Sequence, residues 1–258
     1  METIMNWRGE SIQVARSKGG TLAVVDPFDN LIRAGIRPWP PPEILQKLYQ
    51  SRQVRAFDGQ DREAVTRTLG FYSDLQSLHS EDAITWSVFG PLAYADADYR
   101  TRFVKSLLEH QRLPVSNGAT PTVWLWRRIP HPDTLVSGGP ELDVGIQTDE
   151  VVVFGEAKWL SGLGQAQGKN GNKNQITLRA EFFERYGAAM FPSASHYVVL
   201  GLSLDGSLVE DVDMDVGSAT LHFRSTTWES ACSIDGHPTS GELRAYLDWK
   251  LSHSKIGG

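Results

Sequence analysis

Two acidic side chains and a lysine stand at a spacing that suits phosphodiester chemistry. Asp143 lies in one apolar segment, and Glu156 and Lys158 close the next one. Two carboxylates held close together repel each other and need a compensating cation. Mg²⁺, with Mn²⁺ as a substitute, binds carboxylates while keeping water and substrate phosphate. Such an ion polarises a phosphoryl oxygen and activates a water, which Lys158 can orient or deprotonate.

A β-hairpin is the element that would bring these residues together. Side chains alternate between the two faces of a strand. Leu142, Val144 and Ile146 therefore mark an apolar core face and leave Asp143 on the other side. Gly145 is expected to keep that other side open beside the acid.

The connection at Asp149 and Glu150 sets the register of this hairpin. A two-residue loop there places Asp143 directly opposite Glu156, with Cβ atoms roughly 5 Å apart, and Lys158 follows one step along the same face. Asp-Glu is a poor two-residue turn, but a longer loop of the same parity preserves the pairing. The alternative is an ordinary surface hairpin with exposed charges.

This arrangement resembles the PD-(D/E)xK nuclease superfamily, which has the restriction-endonuclease-like fold. The matching residues are Asp143, twelve intervening positions, and Glu156-Ala157-Lys158 at the end of a hydrophobic strand. The resemblance implies metal ligation by Asp143, Glu156 and the backbone carbonyl of Ala157, and a catalytic role for Lys158. Leu142 stands where the family pattern has proline.

A further acid is implied on the helix that precedes the core sheet. Many members of the superfamily carry a glutamate there, and Glu81 is the matching position, as a catalytic residue and metal ligand. The alternative is capping, because Ser80 can accept from free amides and Glu81 and Asp82 favour the positive end of the helix dipole.

The helix after the hairpin offers candidate substrate contacts. Gln175 and Arg179 lie at i and i+4, on one face, and related nucleases place a glutamine on this helix near the site. Lys169, Lys173 and Arg179 are further candidates for phosphate binding. The alternative is a solvated helix face without a function.

The surrounding segments predict an α/β fold with the core order α-β-β-β-α-β. Strands are expected over residues 122–129, in the hairpin and over 195–204, and a helix over 173–190. Helices over 80–89 and 99–110 precede them. The resemblance implies that these elements form a mixed central sheet flanked by helices.

The chain is expected to have three parts. Residues 1–79 are interpreted as a mainly helical N-terminal extension, with helices over 43–53 and 58–78. Residues 80–204 form the nuclease-like core, and residues 205–258 add a strand near 219–224 and a helix near 240–251 that pack on it. Residues 211–215 are interpreted as a solvated acidic loop, because the glycine and glutamate of a calcium loop are missing.

Composition and charge narrow the functional classes. The single cysteine, Cys232, excludes an intramolecular disulfide, and no segment approaches the roughly 20 apolar residues of a membrane span. With no signal-peptide run at the N-terminus, a cytoplasmic protein without a membrane partner is expected. The net charge of −6 argues against a broadly basic nucleic-acid binder, but phosphate binding can be local and metal-assisted.

These features predict a metal-dependent nuclease that hydrolyses phosphodiester bonds of DNA. An endonuclease on double-stranded DNA, in restriction, repair or phage defence, is the main interpretation. Two alternatives stay open, a non-cleaving nucleic-acid-binding or assembly protein on the same fold and an RNA-directed nuclease. A homodimer or a partner protein for targeting is compatible with each.

Overall fold

The computed structural model describes residues 2–16, 20–33, 35–50, 73–115, 118–133, 139–163 and 173–254. The chain divides into two compact units, one of Met1–Pro91 with Gly241–Gly258 and one of Leu92–Ser240. The longer helices of the described residues are α1 Pro42–Gln50, α2 Glu81–Tyr94, α3 Ala97–His110, α4 Gln175–Phe182, α5 Trp228–Cys232 and α6 Ser240–Ser254. Their strands are β1 Glu2–Met5, β2 Ser11–Arg16, β3 Leu22–Val24, β4 Thr122–Arg128, β5 Glu141–Gln147, β6 Val151–Ala157, β7 His196–Ser203, β8 Val212–Val216 and β9 Ala219–Thr227.

The first unit begins with β-structure, so the prediction of a mainly helical N-terminal segment is wrong for its first residues. Strands β1, β2 and β3 form an antiparallel three-stranded sheet. In β2, Ile12 and Val14 are buried while Ser11 and Gln13 are exposed, which is the period-two pattern of a half-buried strand. The helix predicted over 58–78 falls mostly outside the described residues.

The C-terminal helix α6 belongs to this first unit rather than to the nuclease-like core with which it was predicted to pack. Its Lys250 donates to the Leu78 carbonyl at 2.7 Å, and its Tyr246 hydroxyl donates to the Asn30 carbonyl at 3.1 Å. These buried hydrogen bonds join the two ends of the sequence within one unit.

The second unit contains the mixed six-stranded sheet flanked by helices that the sequence predicts. The strand order is β4-β5-β6-β7-β9-β8. Strands β4, β5 and β6 pair antiparallel, β6, β7 and β9 pair parallel, and β8 closes the edge antiparallel to β9. The element order from α3 to β7 is α-β-β-β-α-β, as expected.

Both faces of the central strand β6 are buried, which the sequence prediction of one core face missed. All its residues are buried. On the face expected to be open, Phe154 stacks on Phe183 at 4.3 Å between ring centroids, and Phe183 stacks on Tyr197 at 4.8 Å. Helix α4, continued by a π-helical turn Phe183–Gly187, therefore covers the face that carries the predicted site.

The segment predicted to be a solvated acidic loop is the edge strand β8. Val212, Met214 and Val216 alternate with Asp213 and Asp215 along it, and this alternation was the sequence signal for a strand. None of the helices in the described part of the chain is long and apolar enough to cross a membrane.

Candidate active site

The hairpin of β5 and β6 has the register derived from the sequence. Its facing pairs are Val144–Gly155, Gly145–Phe154, Ile146–Val153 and Gln147–Val152. The N–H of Thr148 donates to the Val151 carbonyl at 2.9 Å, which closes the loop at Asp149 and Glu150. Asp143 comes next in this register, and its Oδ2 accepts the backbone N–H of Ala157 at 2.7 Å.

Glu156 is fully buried between two cations. Lys158 Nζ lies 2.8 Å from its Oε1, and the Arg179 guanidinium contacts its Oε2. Burial raises the pKa of Glu156 to about 8, and the Asp143 carboxylate adds to this rise, while Arg179 and Lys158 act to lower the pKa. Burial therefore outweighs the two cations, and Glu156 is easier to protonate than an exposed glutamate.

The structure corrects the assignment of Arg179 to a solvated, substrate-binding face. Its side chain is fully buried and donates to the backbone carbonyls of Gln175 at 3.0 Å and Glu141 at 3.1 Å. A side chain enclosed in this way has no surface to offer a nucleic acid. Arg179 instead supplies positive charge that was expected, from the sequence, to come from a metal ion.

The charges of the site balance without a metal. Asp143 and Glu156 are opposed by Lys158 and Arg179, and within the described residues no group of three or more His, Cys, Asp or Glu side chains is placed to hold a metal ion. The two carboxylates and the Ala157 carbonyl are still oxygen donors of the type that hard divalent cations prefer. The donor types therefore fit Mg²⁺, provided that Lys158 yields its place at Glu156.

The backbone of Lys158 is fixed from both sides. Its N–H donates to the Leu202 carbonyl at 2.8 Å, and its carbonyl accepts the indole N–H of Trp228 at 2.8 Å. Trp228 is fully buried at the start of α5, directly after β9. No local pattern in the sequence points to Trp228, because it reaches Lys158 through the parallel pairing of strands.

The sequence suggested that Gly145 leaves this face of the strand open, but the structure shows that it does not. A Cβ atom at this position would lie 2.1 Å from the ring of Trp124. The indole therefore covers the strand where a side chain would otherwise stand. Glycine is required at this position because the indole ring approaches the backbone closely, and not because a ligand must reach the acid.

The other predicted substrate contacts are not gathered at Glu156 by any described interaction. Lys173 Nζ pairs with Asp133 at 2.9 Å and with Glu181 at 2.6 Å, so its charge is already engaged. Gln175 is half-buried in the first turn of α4, and its role stays a prediction. Lys169 lies outside the described residues.

Glu81 is the first residue of α2, in the first unit. Ser80 Oγ accepts the N–H of Ala83 at 3.1 Å, so the capping interpretation of this helix start is confirmed. The role of Glu81 as a catalytic residue and metal ligand stays a prediction.

Comparison with known proteins returns no match among family models, curated proteins or solved structures. What the structure shows by itself is an α/β protein with a mixed six-stranded sheet. One buried cluster in it brings together two carboxylates, a lysine and an arginine.

Proposed function

We propose that the chain is a metal-dependent nuclease of the restriction-endonuclease-like fold that hydrolyses phosphodiester bonds of DNA. The observation that carries the proposal is the hydrogen bond of 2.7 Å from the Ala157 N–H to Asp143. It joins the first acid to the strand end where Glu156 and Lys158 flank Ala157. Action as an endonuclease on double-stranded DNA, in restriction, repair or phage defence, follows by analogy of fold.

Asp143, Glu156 and the Ala157 carbonyl are the residues that would hold Mg²⁺ or Mn²⁺. When bound, the ion supplies polarisation of the phosphoryl oxygen and an activated water. The Ala157 N–H holds Asp143 in place. Arg179 opposes the rise in the pKa of Glu156, because its guanidinium contacts the carboxyl group and stays charged.

Lys158 is the cation of this cluster that we assign to the substrate. It contacts Glu156 at 2.8 Å and its side chain is 8% exposed, whereas that of Arg179 is 0% exposed. On leaving Glu156, its ammonium can neutralise charge that builds on the phosphate or hold the attacking water. The backbone bonds to Leu202 and Trp228 fix the point from which it reaches.

A second candidate function is favoured by the same Arg179 contact. Because Arg179 and Lys158 already neutralise the two carboxylates, the cluster is also stable as a structural ion network. A non-cleaving nucleic-acid-binding or assembly protein with this fold would keep such a network. An RNA-directed nuclease would use the first mechanism on another polymer.

The test is cutting of plasmid DNA and of RNA with Mg²⁺ or Mn²⁺, using wild type, Asp143→Asn and Lys158→Met. Both variants are expected to lose cutting by at least about 100-fold, since each removes a charge that acts in the transition state. Matched controls are Asp215→Asn and Lys105→Met, which change exposed charges elsewhere in the second unit. EDTA is expected to abolish cutting by wild type.

Equal cutting by Asp143→Asn and wild type, or cutting that survives EDTA, would overturn the site assignment. Absence of cutting on both polymers, with binding retained, would support the non-cleaving alternative. Mn²⁺ binding measured by calorimetry gives a readout that does not depend on turnover, and Asp143→Asn is expected to weaken it.

A further inference from the structure

A cavity of about 460 Å³ opens in the second unit. Its wall includes Leu142, the neighbour of Asp143, and Phe154, which precedes Glu156 on β6. Its volume lies within the roughly 300–1,000 Å³ of pockets that hold small molecules or parts of larger ligands. None of the steps assigned above to Asp143, Glu156, Lys158 or Arg179 uses this space.

Four aromatic rings contribute to the walls of the cavity. Trp124, Phe154, Phe182 and Phe191 line it. Trp124 is half-buried, and the Arg127 guanidinium lies over its ring at 5.5 Å from the centroid. Aromatic rings and guanidinium planes are the surfaces on which unstacked nucleobases are held by proteins.

Arginines give the cavity a positive charge. Arg100, Arg127 and Arg128 line it, and the described lining residues include no aspartate or glutamate. Arg100 is half-buried, and its Nη1 donates to the Ala93 carbonyl at 3.3 Å, which fixes the guanidinium in the wall. Arg128 is 3.7 Å from Glu141 in a half-exposed pair, which is weak enough to yield to phosphate.

We infer that this cavity holds one unpaired nucleobase of the substrate strand, stacked on Trp124, with neighbouring phosphates of the strand bound one each by Arg100, Arg127 and Arg128. A neutral apolar ligand would match the rings but not the arginine charges of the wall, whereas a nucleotide matches both. The inference rests on the proposed function and deepens it. The substrate is a strand with an unpaired base, in an overhang, a loop or an extrahelical position, close to the bond that is cut.

The test is equilibrium binding of a short, labelled single-stranded oligonucleotide in EDTA, followed by fluorescence anisotropy. The strand is compared with versions that carry one abasic site at each position in turn. At one position, loss of the base is expected to weaken binding by wild type about tenfold, the order expected for one base stacked on an aromatic ring. Other positions are expected to change affinity less than about twofold.

Variants assign this effect to the cavity. Trp124→Leu is expected to bind the intact strand about tenfold more weakly and to be insensitive to the abasic site. Arg127→Gln, which changes an exposed side chain, is expected to weaken binding several-fold, while Arg112→Gln, an exposed charge that does not line the cavity, binds as wild type. Thermal melting checks that each variant is folded. If Trp124→Leu does not fold, the result for Arg127→Gln decides the assignment of the cavity.

The outcomes separate this inference from the proposed function. Binding that is equally strong at every abasic position, or no binding of any strand, overturns the cavity assignment, even when plasmid is cut. Base-dependent binding that is weakened by Arg127→Gln supports the cavity assignment. If the same protein cuts no nucleic acid under any metal condition, the nuclease proposal is overturned while the cavity assignment stands. Equal loss of binding in Arg112→Gln and Arg127→Gln would also overturn the assignment.

Discussion

At the scale of single residues, the protonation of Glu156 is set by burial on one side and by two neighbouring cations on the other. A carboxylate removed from water stays ionised only when cations stand beside it, and Glu156 has Arg179 on one oxygen and Lys158 on the other. Arg179 is enclosed and permanent, while Lys158 stands at the edge of the cluster. The two cations therefore differ, since Arg179 is fully enclosed and Lys158 is slightly exposed.

Removal of Arg179 is expected to be strongly destabilising. Arg179→Met leaves a buried carboxylate with one cation, and the loss of one partner of a buried pair costs about 3–5 kcal/mol. Urea unfolding of the variant measures this cost. Arg112→Met, on an exposed side chain, is expected to change the free energy of unfolding by no more than about 0.5 kcal/mol. A loss below about 1 kcal/mol for Arg179→Met would show that Glu156 is neutral in the folded protein.

A second buried charge makes the stability of the first unit depend on pH. Lys250 is fully buried, and burial lowers its pKa to about 7, compared with about 10.4 for an exposed lysine. Between these values the unfolded chain binds the extra proton, so stability is greatest above about pH 10 and is lost as the pH falls toward 7.

The Lys250→Met variant should lack this pH dependence. The free energy of unfolding of wild type, taken relative to the variant, is expected to fall by about 1 kcal/mol for each pH unit between pH 9.5 and 7.5. Denaturant titrations of both proteins measure it. The Leu78 carbonyl keeps a donor in the variant, because Ser254 Oγ also donates to it at 3.0 Å. A difference that does not change with pH would contradict the prediction.

At the scale of elements, the hairpin depends on glycine at a point of close approach. Gly145 faces Trp124, and Gly155 faces Val144, whose side chain would lie 2.3 Å from an added Cβ. Since both faces of this part of the sheet are packed, neither position has room for a methyl group. The glycines therefore allow strand β4 and the hairpin to pack closely, and residues of both line the cavity.

Gly145→Ala is expected to destabilise the second unit by about 1–3 kcal/mol, the usual cost of overpacking. The added methyl group would also displace Trp124 and weaken binding of an unpaired base. Gly162→Ala is the matched control, since an added Cβ there meets nothing within 4 Å. Chemical denaturation measures both, and equal stability of the two variants would contradict the packing described for Trp124.

At the scale of the whole molecule, the net charge of −6 means that the proposed binding of nucleic acid would use a local positive surface. The cavity gathers Arg100, Arg127 and Arg128 on one side of the second unit. Binding should then release few counterions. This distinguishes the protein from broadly basic binders, whose affinity falls steeply with salt.

The salt dependence of single-strand binding is expected to be shallow. With about 0.7 counterions released per phosphate contact, three arginines predict a slope of about −2 in a plot of log K against log salt concentration. Anisotropy titrations from low to moderate salt measure the slope, and Arg127→Gln is expected to reduce it by about 0.7. A slope steeper than about −4 would indicate a wider basic surface than the cavity provides.

Local patterns in the sequence were sufficient for much of the second unit. Alternation of side chains gave the hairpin register, which the pairing of Val144 with Gly155 confirms, and the element order from α3 to β7 follows from segment patterns. Apolar and polar side chains also alternate in β2 and β8, although neither segment was predicted to be a strand. These features are predictable because consecutive side chains of a strand point to opposite faces, so the local sequence shows which residues lie on each face.

Tertiary structure alone decided what surrounds the two acids. Trp124, Arg179 and Trp228 come from three elements far apart in the sequence, and their contacts with Gly145, Glu156 and Lys158 depend on how β4, α4 and α5 meet the hairpin. The sequence by itself determined which residues could do chemistry and on which strands they stand. The packing of distant elements determined that Glu156 is buried, that an arginine contacts it, and that a cavity with aromatic rings and arginines forms in the same unit.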